Sequence, residues 1–352
     1  MLNIILLSML CILVAAVCSP LLIRIVKKTN LLDRPNVRKM HIAPMPTFGG
    51  LAIFAGFLFG IILLQPDSKY HIPILMGAVL IIILGVMDDK YQFTPKVKWI
   101  GEIVAALIVV VWGGLQVEFI NLPFGGQLEF GFFSVLITVL WILGITNAIN
   151  FIDGLDGLAA GISAIALLSI AVMAIVMGNV YVLTMSMILF WSIVGFLPFN
   201  FHPAKVFMGD TGALFLGYMI SVLSLLGFKN VAFVSFIVPI FILAVPIIDT
   251  FVAIVRRVVQ KRPISSPDSS HFHHKLVSFG MSHKQTVLFM YGLSAMFSMA
   301  AILLSMSTIW GAVLIAGVVL VVIQILIESL ELIDSTYKPL TNLMTRRRRE
   351  DR

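Results

Sequence analysis

Charge is what this 352-residue chain has least of: Asp, Glu, Lys and Arg make up only 12% of it, about half the share of a typical soluble domain. Cysteine is scarcer still. Cys11 and Cys18 lie on one apolar helix, too far apart along its axis for a mutual disulfide, and they lack metal-ligand spacing, so core packing is their expected role. No Pro/Ser-rich linker or loop of soluble-domain size breaks the chain, and no internal repeat is evident. We therefore expect one integral domain over residues 1–335, followed by a basic cytoplasmic tail over 336–352. No Lys or Arg precedes the first apolar run, whereas Arg24, Lys27 and Lys28 follow it. That is not the charge order of a cleaved signal peptide, so the run counts as the first helix.

Hydrophobicity fills the space that charge leaves, with 60% hydrophobic residues and a mean hydropathy of +1.06. A bilayer core about 30 Å thick takes roughly 20 apolar residues per helix. Segments of that kind centre near Val14, Phe57, Leu80, Leu107, Leu140, Leu168, Met187, Leu216, Ile240, Phe297 and Val318. The expected fold class is an all-α polytopic membrane protein of about eleven transmembrane helices. With the N-terminus outside, only Lys69 and Lys229 of the 24 Lys and Arg residues fall outside, as the positive-inside rule demands, and the C-terminus is cytoplasmic. The net charge of +7 and the run Arg346 to Arg349 then read as topology determinants with weak headgroup attraction, and no nucleic-acid partner is expected. Residues Gln116 to Gly131 alternate apolar and polar around Gly125-Gly126, which predicts a small external β-hairpin.

The acidic residues are unevenly spread. Asp67, Glu118 and Glu129 fall outside, while Asp88, Asp89, Asp153, Asp156 and Asp210 gather at inner helix ends or loops. Asp88 and Asp89 end an apolar helix; adjacent carboxylates raise one another's proton affinity unless a cation or basic side chain intervenes. That suits Mg²⁺ or a base acting on a phosphate oxygen, with a solvated helix end as the plainer alternative. It is not a prenyl-diphosphate DDxxD box, because the fifth position is Gln92. In Asn150 to Gly157 (NFIDGLDG), Asp153 and Asp156 share one side of a turn, and flanking glycines allow close ligand approach. Capping explains one Asp but not Asn with two. In Phe199 to Gly212 (FNFHPAKVFMGDTG), Asp210 opens an apolar helix between Gly209 and Gly212, where a carboxylate can hold a hard cation or cap the helix. The longest inner loop, Arg256 to Lys284, carries Arg256, Arg257, Lys261, Arg262 and the cluster His271-Phe272-His273-His274-Lys275. Imidazoles there can hydrogen-bond a diphosphate or act as acids near neutral pH; zinc is disfavoured because no Cys accompanies them. The set suits a phosphorylated, metal-bound substrate.

In order along the chain stand Asp33-x-Pro35-x-x-Arg38-Lys39-x-His41, Pro44-x-Pro46-x-x-Gly49-Gly50, Asp88-Asp89, Asn150-x-x-Asp153-Gly154-x-Asp156-Gly157, Asn200, Phe207-Met208-Gly209-Asp210-Thr211-Gly212 and His271-x-His273-His274. This series resembles the polyprenyl-phosphate N-acetylhexosamine-1-phosphate transferases, the family containing MraY, WecA and TagO. The His-x-His-His pattern after Pro267-Asp268 looks like the WecA/TagO branch, whereas the MraY branch carries three consecutive histidines. The resemblance implies transfer of GlcNAc-1-phosphate from UDP-GlcNAc to undecaprenyl phosphate, giving the lipid diphosphate and UMP, on the cytoplasmic face of a bacterial membrane. It further implies a role in starting a surface glycopolymer such as wall teichoic acid. By the same resemblance Asp210 is the ligand of Mg²⁺, for which Mn²⁺ can substitute, and Asp88 or Asp89 is the base or orienter of the acceptor phosphate. His271, His273 and His274 then contact diphosphate, and Asn150, Asp153, Asp156, Asn200 and Phe207 line the nucleotide side.

Three alternatives stand beside this reading. A phospho-MurNAc-pentapeptide transferase is the alternative within the family. An ion-coupled transporter calls for carboxylates near the midplane and broken helices; here the carboxylates gather at one interface, and only Asp249 lies near Pro239 and Pro246. A CDP-alcohol phosphatidyltransferase needs Asp-Gly-x-x-Ala-Arg, but Leu158-Ala159-Ala160-Gly161 follows Asp156-Gly157. One-step displacement and a covalent aspartyl route both stay open, as does oligomeric state, a homodimer included.

Overall fold

The computed structural model describes residues 1–29, 32–33, 44–121, 126–228, 234–263, 270–333 and 337–339. Pro35, Arg38, Lys39, His41, Gly125, Lys229, Pro267, Asp268 and the run Arg346 to Arg349 lie outside the described residues.

The chain is an all-α polytopic membrane protein. Its described helices are α1 (Leu2–Ser8), α2 (Cys11–Lys28), α3 (Gly50–Leu64), α4 (His71–Tyr91), α5 (Pro95–Leu107), α6 (Phe133–Ile152), α7 (Leu158–Val176), α8 (Val180–Asn200), α9 (Gly209–Phe228), α10 (Val234–Ile242), α11 (Ala244–Val259), α12 (Phe272–Ser278), α13 (His283–Met306) and α14 (Ile309–Ser329). Each expected apolar segment is helical, and 8 described stretches are long and apolar enough to cross a membrane, α1 and α2 counting as one. The other three expected segments are shorter or interrupted. α3 has 15 residues, α5 runs into a π-helical turn at Ile108–Trp112, and α10 and α11 part at Leu243. Pro246 explains that break, because it has no N–H to donate to the carbonyl four residues back, at Ile242.

α9 lies at the centre, packed against α4 and α6 and flanked by α3 and α7. Of the eight membrane-length stretches it is the least apolar and the most buried, whereas α14 is as apolar as any of them and almost wholly exposed. The polar groups of α9 are answered inside the protein, as lipid requires. Ser221 and Ser224 donate back to carbonyls three residues earlier, both at 2.7 Å. Trp141 Nε1 donates to the Ser221 carbonyl at 3.3 Å, and the Tyr218 hydroxyl donates to the Ile74 carbonyl at 3.2 Å. Cys11 is buried in the core, Cys18 is half-buried, and both are free.

The up-and-down path brings the C-terminal ends of α4, α6 and α8 together with the N-terminal ends of α5, α7 and α9, which is where the inner carboxylates stand. The predicted hairpin forms beyond the far end of α5. In it β3 (Phe119–Asn121) pairs antiparallel with β4 (Gln127–Glu129), Phe119 opposite Glu129. A second small ladder, β1 (Leu32–Asp33) against β2 (Met45–Pro46), has no counterpart in the sequence reading.

Candidate active site

Successive residues on a helix point about 100° apart, so Asp88 and Asp89 at the end of α4 reach different partners. Asp89 crosses to the start of α9. Its Oδ1 accepts the Asp210 N–H at 2.8 Å, and its Oδ2 accepts the Thr211 N–H at 3.1 Å and the Thr211 hydroxyl at 2.5 Å. The cap of α9 thus comes from another helix and satisfies N–H groups that have no partner within α9. Gly209 permits this on two counts: its φ is +72°, and a Cβ there would sit 2.6 Å from Asp89 Oδ2.

Asp88 turns toward α5. Its Oδ1 accepts the Phe93 N–H at 2.7 Å, and its Oδ2 lies 2.6 Å from Lys98 Nζ. The same ammonium lies 3.0 Å from Asp210 Oδ2, while Asp210 Oδ1 accepts the Asn150 amide at 2.5 Å. Asp210 is therefore committed to Lys98 and Asn150 and leaves the capping of α9 to Asp89. Asp88 is sealed at 4% side-chain exposure, but Lys98 and Asp210 keep 20% and 30%, so a ligand can reach these two. The Asp88 and Asp210 oxygens already flank a cationic group. A hard carboxylate set of this kind fits Mg²⁺.

The loop after α6 adjoins this network. Burial holds the Asp153 carboxyl well above the usual carboxylate range, with the charges of Asp210, Asp89 and Asp156 adding to the effect. Asp156 Oδ2 accepts the Ala204 N–H at 3.1 Å and faces His202 Nδ1 at 2.8 Å. The His202 ring stacks on His283, centroids 4.2 Å apart and planes 19° apart. Ligating atoms of Asp156, His202 and His283 lie within 4.8 Å of one another. Nearly parallel rings aim their in-plane lone pairs side by side, however, so the trio as arranged does not converge on an ion.

Asn200 is buried. Its amide donates to the Val206 carbonyl at 3.0 Å, and its Oδ1 has no protein partner among the described residues. Phe207 is half-buried. Its N–H donates to the Pro46 carbonyl at 2.8 Å, and its carbonyl accepts the Gly49 N–H at 3.0 Å. The described part of the proline-glycine motif, 44–50, thus braces the loop that carries Phe207.

The histidine cluster sits at the start of α12. His271 Nδ1 lies 2.9 Å from Asp249 Oδ2 on α11. His273 is 1% exposed and presses on the Asp153–Asp156 loop: a Cβ on Gly154 would lie 2.4 Å from its Nε2. Among the described residues neither ring nitrogen of His273 has a hydrogen-bond partner. Burial, reinforced by His274, pushes its pKa down to about 3. The His274 ring lies 4.2 Å from that of His273.

Asp88, Asp89, Asn150 and Asp210 therefore form one bonded network, Asp153 joins it through charge, and Asp156 and His273 line the adjoining loop. Asn200 and Phe207 build the wall beside it, and His271 pairs with Asp249 instead of with the network carboxylates. Sequence reasoning missed Lys98, Thr211, Asp249 and His283. Lys98 carried a usable signal, since a lysine one turn into a helix that opens at Pro95 is conspicuous in a chain so poor in charge. Asp249 was weighed only as a transport residue. His283 had no local signature.

The profile of Glycosyl transferase family 4 matches residues 71–228, a stretch holding every network residue but not the histidine cluster. A Bacillus subtilis (strain 168) protein named "Probable undecaprenyl-phosphate N-acetylglucosaminyl 1-phosphate transferase" is 46% identical over 333 residues, covering 94% of this chain and 93% of that protein. The "Decaprenyl-phosphate N-acetylglucosaminephosphotransferase" of Mycobacterium tuberculosis is 32% identical over 81% of this chain and 80% of its own length. The "Undecaprenyl-phosphate alpha-N-acetylglucosaminyl 1-phosphate transferase" of Haemophilus influenzae is 31% identical over 78% of this chain and 79% of its own. Matches that run through the whole carboxylate network, at this identity and coverage, place the chain in glycosyl transferase family 4, among the polyprenyl-phosphate N-acetylhexosamine-1-phosphate transferases.

Proposed function

We propose that this enzyme transfers GlcNAc-1-phosphate from UDP-GlcNAc to undecaprenyl phosphate at the cytoplasmic face of a bacterial cytoplasmic membrane, so starting a surface glycopolymer, wall teichoic acid among the candidates. The observation that carries the chemistry is the reachable pair Lys98 and Asp210, backed by sealed Asp88, at the polar end of an apolar bundle. The named relatives support the choice of sugar, and the concentration of Lys and Arg at the carboxylate end supports the cytoplasmic side.

In the reaction a lipid-phosphate oxygen attacks the sugar-bearing phosphorus. One P–O bond forms, the P–O bond to UMP breaks, and the total charge is unchanged. Asp210, with Asp88 beside it, would hold Mg²⁺, which when bound offsets the repulsion between the phosphate anions. Lys98 supplies fixed positive charge to the phosphate oxygens, and Asp88 keeps that ammonium in place. Asp89 holds the first turn of α9 and so fixes where Asp210 stands; it positions and does not react. Asp153, whose burial favours the protonated form, can donate a hydrogen bond to the nucleotide without adding negative charge. Asn150 orients Asp210 through its amide.

The test uses purified protein in detergent with undecaprenyl phosphate, Mg²⁺ and radiolabelled UDP-GlcNAc. Label in the lipid fraction with released UMP, both abolished by EDTA, is the expected result. Transfer only from UDP-MurNAc-pentapeptide would move the protein to the other branch of the family, and no transfer from either donor would overturn the reading.

A further inference from the structure

We propose that Asp249 is a positioning residue for His271: it holds a proton on Nδ1 and so leaves Nε2, which carries a proton in the imidazolium, to donate to the substrate diphosphate, an inference that rests on the function proposed above. Both carboxylate oxygens of Asp249 are used at one place. Oδ2 faces His271 Nδ1 at 2.9 Å, and Oδ1 accepts the N–H of the next residue, Phe272, at 2.7 Å. Two such bonds hold the carboxylate in one rotamer and anchor the start of α12 to α11. The side chains of Asp249 and His271 are 5% and 10% exposed, so water does not compete for the pair. An ionised carboxylate only accepts, so the Nδ1 it faces must be the donor. The other ring nitrogen is then the functional one, since the bond at one nitrogen of an imidazole sets the state of the other.

The surroundings favour this role over simple packing. A carboxylate inside an apolar segment is costly, and a partnered one there points to function. The His271 ring is parallel to His273 within 3°, centroids 6.0 Å apart, and lies 6.1 Å from the Phe151 ring, two residues before Asp153. Its Nε2 has no hydrogen bond to the protein among the described residues, and the neighbouring His273 ring, not His271 itself, presses on the Asp153–Asp156 loop. As the imidazolium, His271 would donate Nε2–H to a phosphate oxygen while Asp249 offsets the positive charge. His273, dry and unpartnered at both nitrogens, lacks such a carboxylate and stays neutral.

Two measurements test this on the full-length protein in detergent. ¹⁵N-histidine NMR, with the His271 signal assigned by its loss in His271→Gln, should show Nδ1 protonated in the wild type and a changed tautomer balance in Asp249→Asn. Kinetically, Asp249→Asn should lower kcat about 10- to 100-fold, the usual cost of removing an orienting partner, with KM for UDP-GlcNAc within about 2-fold. The double variant should be no slower than His271→Gln alone, because residues acting as one unit are non-additive. A wild-type His271 protonated only on Nε2, losses that multiply in the double variant, or full activity in His271→Gln would each overturn the proposal. The NMR measurement needs no turnover, so a failed transfer assay would remove the proposed reaction while still leaving the pairing to be decided by its own result.

Discussion

Lys98 stands 2.6 Å from Asp88 and 3.0 Å from Asp210, whereas His273, one loop away and 1% exposed, has no hydrogen-bond partner at either ring nitrogen among the described residues. In the first region Asp88 and Asp210 share one ammonium, and Asp89 is met by three donors. The second is drier and has no counter-charge in contact among the described residues, so its imidazole is held neutral. Burial disfavours any charge, and only a partner within contact distance reverses that. The two regions should therefore respond differently to substitution and to pH.

The largest effect is expected where charge is concentrated. Asp210→Asn should lower turnover by about 10³-fold, with membrane insertion and elution in detergent unchanged; near-normal initial rates would remove Asp210 from the chemistry. Lys98→Met leaves Asp88 and Asp210 facing each other without their shared ammonium. We expect about a 10²-fold loss of kcat, together with a lower Mg²⁺ concentration for half-maximal rate, since the competing cation is gone. An unchanged Mg²⁺ titration would show that Lys98 does not occupy the cation's neighbourhood.

Gly209→Ala probes the same region through its backbone. The φ of +72° and the 2.6 Å approach to Asp89 should make it destabilising by about 1–3 kcal/mol, read as a lower unfolding midpoint in detergent. The smallest effect belongs to the histidine region. His273 has a pKa of about 3 against an ordinary 6.5, so the folded state prefers the neutral ring. Stability should be flat above pH about 6.5 and fall as pH drops through 6.5 toward 3, by about 1.4 kcal/mol one unit below the ordinary value. His273→Phe should flatten that limb; an acid limb unchanged in the variant would assign it to other groups.

Much of the site was legible because its residues are clustered locally: Asp88 beside Asp89, Asp153 three before Asp156, Asp210 between Gly209 and Gly212. Their separate duties were not. Asp89 resembles Asp88 in every local respect, yet it caps α9 while Asp88 holds Lys98. Helix capping by Asp210, the plainer alternative from its place at a helix start, does not occur, because Asp89 accepts those N–H groups instead. Asp249 was visible as an intramembrane acid, but its partner lies 22 residues away, beyond any local pattern.

The sequence alone determined that the chain crosses lipid as helices and that its acids collect at one end of them. Apolar runs of that length must satisfy their own backbone hydrogen bonds, and ionisable groups are costly within them unless partnered, so most gather at their ends. It could not rank the helices by depth, because in lipid α14, as apolar as any membrane-length stretch, faces outward and the least apolar of them, α9, is central. Tertiary structure decided that ranking and the pairing of Lys98 with Asp210, 112 residues apart. Contacts of that separation depend on how helix ends meet, which composition and periodicity do not encode.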